Sequence, residues 1–462
     1  MKQKLSIFTD YTKTLYPHEI GYLLEHNKIE DEENLRILST IEYNSLHPQN
    51  PKSFDDTIDK RKYSNLKKWI ETRLAEKDVD RYFVWLSEIE QKILTDSILP
   101  IEEKALIKQL RRVDVSHYHF TRLYEVAQHF RDYLLIRMRI IYYNPVSDFL
   151  DSYRNNYRKA AEVQSVLNDA TYDIISRGES QNPEKWVQYL AEVFRDKTLD
   201  AYTRYRAVVR LMYVYYNYRR FDDLKSITLE LDQVLKSPHF YSKRILANYY
   251  GNRAMMHQKR MELDDAEKYG YLSVRQKNND YLYYVNILCG VLVKQQNYID
   301  ALKLMHNTFG ELKNTNSFFN RIGFVSLYVR TLVLNGKAKQ AADYAKSFFE
   351  VYRKEIFSHR WHLFFEAYTL ALLRLGKYRQ LISLVRRNDL VQKEKNEFGR
   401  KPYLAVIRSF YLIAEYLETE INEEVLRQQL EEVFAVEYND FTLQYKRNEL
   451  KKEINEYVPG VV

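Results

Sequence analysis

The chain has 462 residues, 45% hydrophobic and 29% charged, with a formal net charge of +8; this is a folded composition, long enough for two or three ordinary domains or one extended solenoid with an end domain. Its 11 glycines and 9 prolines fall far below the usual ~7% and ~5%, which argues against loop-rich β or dinucleotide-binding folds and for nearly all helix. A single cysteine, Cys289, excludes an internal disulfide framework, and neither a signal peptide nor a run of ~18 uncharged apolar residues is present, so a soluble cytoplasmic protein with no membrane partner is expected.

Residues 1–146 are expected to form an N-terminal helical bundle. Pro17 stands where a helix can begin, and Ser53-Phe-Asp-Asp56 resembles a capping box. Apolar residues recur at helical spacing through Leu66, Ile70 and Leu74, then through Phe83, Leu86, Ile89 and Leu94. Loops are expected at 45–53 and at Leu99-Pro100, and a long helix from about Val115 to Tyr143 should stop before Asn144-Pro145, because proline cannot continue it. His117, His119, Glu125 and His129 offer metal-competent side chains, with Glu125 and His129 one helical turn apart. No second cluster completes four ligands, so no metal or other cofactor is expected. Residues 1–150 hold 23 Lys+Arg against 24 Asp+Glu, so the remainder carries +9. A basic half favours an acidic partner.

Residues 147–400 read as helical hairpins. The first spans 147–196, with 177–183 as its turn. From Tyr202 to Arg387 one pattern returns five times: a helical apolar run, a tight polar turn, then an apolar residue, two spacers and a small or aliphatic residue. It reads Phe221-Asp-Asp-Leu224, Leu263-Asp-Asp-Ala266, Tyr298-Ile-Asp-Ala301, Ala338-Lys-Gln-Ala341 and Tyr378-Arg-Gln-Leu381, with closing residues 42, 35, 40 and 40 positions apart. A hairpin of this size cannot bury its apolar face alone, and stacking on copies of itself solves the problem. The expected fold is therefore all-α: an N-terminal helical bundle, then a superhelix of antiparallel helical hairpins. Helices over 403–417, 422–434 and 440–457 form a C-terminal cap within 401–462.

The stretches Leu332-Val-Leu-Asn-Gly336-Lys-Ala-Lys-Gln-Ala341 and Leu373-Arg-Leu-Gly376-Lys-Tyr378 resemble the tetratricopeptide repeat family around its turn. The small residue usual in the family's first helix is kept as Ala254 and Cys289 and replaced by Met212, Val329 and Thr369; no proline closes the repeats. The resemblance implies a concave face lined by positions 18, 15, 14 and 11 residues upstream of each closing residue. Those positions place Arg206, Arg210, Tyr213, Asn248, Asn252, Tyr283, Asn286 and Arg330 on one face, and a further turn adds Asn217 and Lys294. Asparagine can hold an extended backbone through paired donor and acceptor, and arginine grips a carboxylate with two parallel bonds. The expected function is a non-enzymatic scaffold that binds a protein or peptide, with preference for acidic segments.

Two alternatives come from other features. A neutral bundle joined to a basic repeat half resembles, in layout, peptide-responsive regulators. The tyrosines and arginines of 202–220 could stack on bases and neutralise phosphates, which would make the chain an RNA- or single-stranded-DNA-binding protein. At helical spacing those rings fall on several faces, and about half of them must be buried. Phosphate-loop, dinucleotide, nucleophile-elbow and metalloprotease motifs are absent, and Cys289 occupies a small-residue slot in a helix, so an enzyme is not expected. The sequence leaves the oligomeric state unknown.

Overall fold

A computed structural model describes residues 5–26, 29, 31–47, 50–175, 184–398, 403–435, 437 and 441–462. All regular structure among these residues is helical. The chain divides into two compact units, Met1–Leu246 and Ala247–Val462.

Unit 1 begins with α1 (Ser6–Thr12), α2 (Pro17–Glu25), α3 (Glu32–Leu46) and α4 (Lys60–Ala75), packed around Phe8, Ile20, Leu38, Leu66 and Ile70. Pro17 opens α2 as expected, and Glu19 closes its first turn by accepting the Tyr16 N–H at 2.7 Å. Ser53 does not cap a helix. Asp59 does so instead, accepting the Arg61 N–H at 2.9 Å to start α4.

A second core, built on Leu86, Ile89, Leu123, Phe130 and Val146, joins α5 (Val79–Leu94), α6 (Pro100–Leu110), α7 (Phe120–Ile136) and α8 (Ile140–Ile175). Leu86 and Ile89 are buried, but Phe83 and Leu94 are exposed, because the apolar stripe of α5 is wider than the face it packs. The single helix expected over 115–143 is two helices, and Pro145 lies inside α8. The break comes earlier. Met138 takes φ 55°, and the Arg139 N–H reaches back to the Leu134 carbonyl at 2.9 Å, so α7 has ended before the proline. Pro145 is the sixth residue of α8 and so takes from the helix the N–H that would reach the Ile141 carbonyl.

Unit 1 continues with α9 (Lys185–Arg195), α10 (Ala201–Asn217) and α11 (Phe221–Val234); the turn expected at 177–183 lies outside the described residues. The division between units falls inside α12 (Lys243–Lys259). Unit 2 holds α13 (Leu263–Ser273), α14 (Tyr281–Lys294), α15 (Tyr298–Thr308), α16 (Phe318–Leu334), α17 (Ala338–Ser358), α18 (Trp361–Arg374), α19 (Tyr378–Arg387), α20 (Leu390–Phe398), α21 (Val406–Leu417), α22 (Glu423–Phe434) and α23 (Phe441–Tyr457). Here α14 packs on α16, α16 on α18, and α18 on α21.

The hairpin turns share one geometry. A residue with positive φ stands at Arg219 (58°), Met261 (59°), Gln296 (61°), Gly336 (73°), Gly376 (67°) and Thr419 (59°). Around Gln296 its own N–H meets the Val293 carbonyl at 3.1 Å, and the Asn297 N–H meets that of Leu292 at 2.9 Å. These bonds satisfy carbonyls that a helix end leaves orphaned. Five residues after the first five of these positions come Leu224, Ala266, Ala301, Ala341 and Leu381, all fully buried. The first-helix slots Met212, Ala254, Cys289, Val329 and Thr369 are buried too. The pattern read along the sequence is therefore the packing register of the hairpins. Left-handed backbone costs an L-residue about 1 kcal/mol or more, partly offset by the entropy glycine adds to the unfolded chain. Gln296 is exposed, so Gln296→Gly is expected to stabilise unit 2 by about 0.5 kcal/mol, read as a rise in its urea midpoint; a fall would mean that the side chain has a role this backbone argument lacks.

Candidate partner-binding face

In unit 1, α10 starts from Asp200, a fully buried cap whose carboxylate accepts the Thr203 N–H at 2.9 Å and its hydroxyl at 2.8 Å. Further along, Arg206 donates to Asn168 Oδ1 of α8 at 2.5 Å and lies over the Tyr202 ring. Arg210 donates from Nε to Thr171 of α8 and from Nη1 to the Arg206 carbonyl at 2.7 Å. Burial, with Arg206 beside it, pushes the Arg210 guanidinium down to about 10. Both arginines are thus aimed at α8, while Tyr213 and Asn217 are exposed at the far end of α10. Of the neighbouring aromatics, Tyr205 and Tyr215 are buried and Tyr213 and Tyr218 are exposed.

In unit 2 the asparagines join helices to one another. Asn252 donates to Asn248 Oδ1 at 3.0 Å, and Asn248 donates to the Tyr284 hydroxyl at 3.4 Å. Between those asparagines Gly251 is backed by the Tyr284 ring, which a Cβ would meet at 2.5 Å; the close approach of α12 to α14 requires glycine there. Tyr283 donates to Met255 Sδ at 3.0 Å. Asn286 is buried, and its Nδ2 donates to the Asn320 carbonyl of α16 at 3.1 Å. Asn248, Asn252, Tyr283 and Asn286 therefore carry hydrogen bonds within and between adjacent hairpins.

The Lys294 ammonium turns to the Gln258 carbonyl of α12 at 3.4 Å, but its own carbonyl and Arg330 have a different neighbour, the chain's own last helix. Thr442 donates to the Lys259 carbonyl and Tyr445 to the Lys294 carbonyl, each at 3.4 Å. Lys259 and Lys294 are the last residues of α12 and α14, so these hydroxyls satisfy helix-end carbonyls. Lys446 donates to Glu366 Oε2 of α18 at 3.2 Å. Arg374, the last residue of α18, pairs with Glu453 at 2.7 Å and with Glu456. Burial pushes the Glu453 carboxyl up while Arg374 pulls it down, and Arg330 also lies within electrostatic reach of it. α23 thus crosses the ends of α12, α14 and α18 and passes Arg330 of α16. Downstream, Leu450 and Ile454 anchor it in the core.

Glu366 and Arg374 were not singled out from the sequence, yet they stand 15 and 7 residues upstream of Leu381. The fifth repeat held the signal, and extending the register to it finds them.

The metal-competent side chains of 117–129 each have partners of their own. His129 pairs with Glu90 at 3.1 Å, Glu125 with Arg122 at 3.0 Å, and His117 Nδ1 accepts the His119 N–H at 3.2 Å. Among the described residues one set of three possible metal ligands comes together, His257, Glu262 and Asp265, with ligand atoms within 4.8 Å of one another. Glu262 is bound there to His257 Nδ1 at 2.5 Å and to Arg260 at 2.9 Å, an arrangement that fastens the turn between α12 and α13. Cys289 is fully buried and its thiol is pushed up to about 12 by burial, which removes the thiolate that nucleophilic chemistry needs. No described helix is long and apolar enough to cross a membrane.

Comparison with protein-family models, with curated proteins and with solved structures found no match.

Proposed function

We propose that the chain is a non-enzymatic scaffold of tetratricopeptide-like hairpins that binds an acidic helical segment of a partner protein on the face crossed by α23. The observation that carries this reading is the α23 contact itself. Glu453 and Glu456 of this helix pair with Arg374, Arg330 lies within electrostatic reach of Glu453, and the helix's hydroxyls meet the carbonyl ends of α12 and α14. A partner helix with acids and hydroxyls at the same spacing would meet the same groups, in the manner of a helix laid along a groove. In this reading α23 is the resident occupant, and its displacement supplies the differential contact that a peptide-responsive sensor needs.

The test uses the full chain and a labelled peptide of residues 441–462. Tethering gives α23 in cis an effective concentration in the millimolar range, so the wild type should take up the peptide poorly. Glu453→Arg with Glu456→Arg, which breaks the cis pairs with Arg374, should raise peptide binding roughly tenfold. Adding Arg374→Glu should remove that gain. Equal uptake by all three chains would sink the proposal.

A further inference from the structure

One end of unit 1 carries apolar side chains that its packing leaves in solvent. α5 ends, α6 begins, α7 ends and α8 begins there. The ion pair Arg137–Asp96 and the pair Arg139–Glu103, at 2.6 Å, fasten the turn between α7 and α8 to the turn between α5 and α6 and to the first turn of α6. From these joined turns Ile101, Ile136, Met138 and Ile141 stand 74%, 78%, 81% and 86% exposed, and Leu99 and Leu135 are more than half exposed. Single exposed aliphatics are ordinary on a protein surface; a cluster on two adjoining turns is an interaction surface.

Beside it lies a cleft of about 370 Å³ lined by Lys104, Lys108, Arg111, Arg112, Ile107 and Tyr142. Lys104, Lys108 and Arg111 share a face of α6 through their spacing. Tyr142 follows the exposed Ile140 and Ile141 directly, and Arg139 lies over its ring, so cleft and apolar turns adjoin. The acids at this end are matched: Asp96 by Arg137, Glu103 by Arg139, and Glu102 by Lys92. The four cleft cations have no ion-pair partner among the described residues, and Asp148 lines the adjoining hollow with Arg111.

We infer that this end of unit 1 docks on a membrane surface rich in anionic lipid, with the exposed aliphatic turns entering the acyl boundary and the cleft cations holding headgroup phosphates. Charge complementarity selects this occupant. A second copy of the chain would bring the same unmatched cations face to face, which is repulsive. Nucleic acid would answer the cations but not the aliphatics, because isoleucine, leucine and methionine offer no ring for bases to stack on. Side chains on protruding turns bury themselves in a fluid interface without a pocket shaped to receive them, and basic residues beside them add attraction to anionic headgroups. Attachment of this kind needs no spanning helix.

The test is flotation of the full chain with vesicles of phosphatidylcholine alone and of phosphatidylcholine with phosphatidylserine. Binding is expected to the second and to be weakened by salt. Lys104→Gln with Arg111→Gln should weaken it about 30-fold, from about fivefold for each basic residue removed. Ile136→Ser with Ile141→Ser should weaken it by roughly tenfold or more. These positions are exposed, so the helical circular dichroism of every variant should match the wild type. Met138→Trp reports insertion directly, since its emission should shift to the blue on anionic vesicles and not on neutral ones. Failure to float with anionic vesicles, unchanged affinity of the isoleucine variant, or an unshifted emission of the Met138→Trp chain would each overturn the inference, as would capture through this face of a protein partner without any affinity for vesicles. The readout involves neither α23 nor the peptide of 441–462, so it stands or falls separately from the scaffold proposal.

Discussion

Ala341→Arg is expected to destabilise unit 2 by about 4 kcal/mol, a large part of the ~5–15 kcal/mol that holds a typical domain together. Ala341 is fully buried, at the residue where α17 closes against its partner α16 in the hairpin, inside the largest core of unit 2. Two costs add. The guanidinium stem must displace packed side chains, and its charge would leave water without a carboxylate to meet it. Urea unfolding should show an earlier transition for unit 2, and Lys339→Arg, an exposed change two residues away, should leave the curve where it was. If Ala341→Arg unfolds like the wild type, the register that places five closing residues in five equivalent contacts is wrong.

That register was legible because it is local. The residue with positive φ, the buried residue five positions later and the buried slot upstream all lie within one hairpin, so one period of sequence holds the whole device. Glycine marked the turn at Gly336 and Gly376, but Arg219, Met261 and Gln296 adopt the same conformation without it, and there only the spacing gave the position away. Local reading misled where tertiary packing decided. Phe83 and Leu94 continue the apolar stripe of α5 yet stay exposed, Phe83 with one face against the His119 ring. Pro145 looked like a helix end, but the chain had turned at Met138, a residue with no turn propensity of its own. The short α20 is too brief to carry a periodicity of its own.

The candidate face was legible in part. Its arginines, lysines and asparagines follow from the register, but what covers it does not. Thr442 meets Lys259 across 183 positions, and Tyr445 meets Lys294 across 151; no periodicity links residues so far apart. The same holds in unit 1, where the Tyr241 hydroxyl meets Glu19 at 2.5 Å across 222 positions. Such contacts fix which helix end lies against which segment, and so decide whether a basic residue faces water, a partner or the chain itself.

Acid should weaken unit 1 through two histidines, and the effect will be visible only by difference. Burial pushes His117 and His119 down to about 4. His117 also faces His239 and Lys77, with Asp114 opposing them; around His119 the cations are Arg244 and Arg122, with Asp80 opposing. The unfolded chain takes up these protons near pH 6.5 while the folded chain does not, so stability is full above that pH and falls as pH drops toward 4. Complete burial would make this about 3 kcal/mol for each ring; partial solvent contact brings it to about 2, hence about 4 kcal/mol for the pair. Asp200 works the other way. Burial pushes its carboxyl up to about 6, so the folded chain binds that proton first and gains stability as pH falls from 6 toward the ordinary aspartate value. The wild type should therefore show a shallow pH profile that hides two opposed slopes. His117→Asn with His119→Phe removes one of them: asparagine keeps an acceptor for the residue 119 N–H, and phenylalanine keeps the ring contacts with Phe83, Tyr118 and Tyr202. Relative to wild type the variant should gain about 4 kcal/mol in unfolding free energy between about pH 7 and about pH 4. Parallel profiles would mean that both rings take up protons in the folded chain as readily as in the unfolded one, and would sink the argument from their burial.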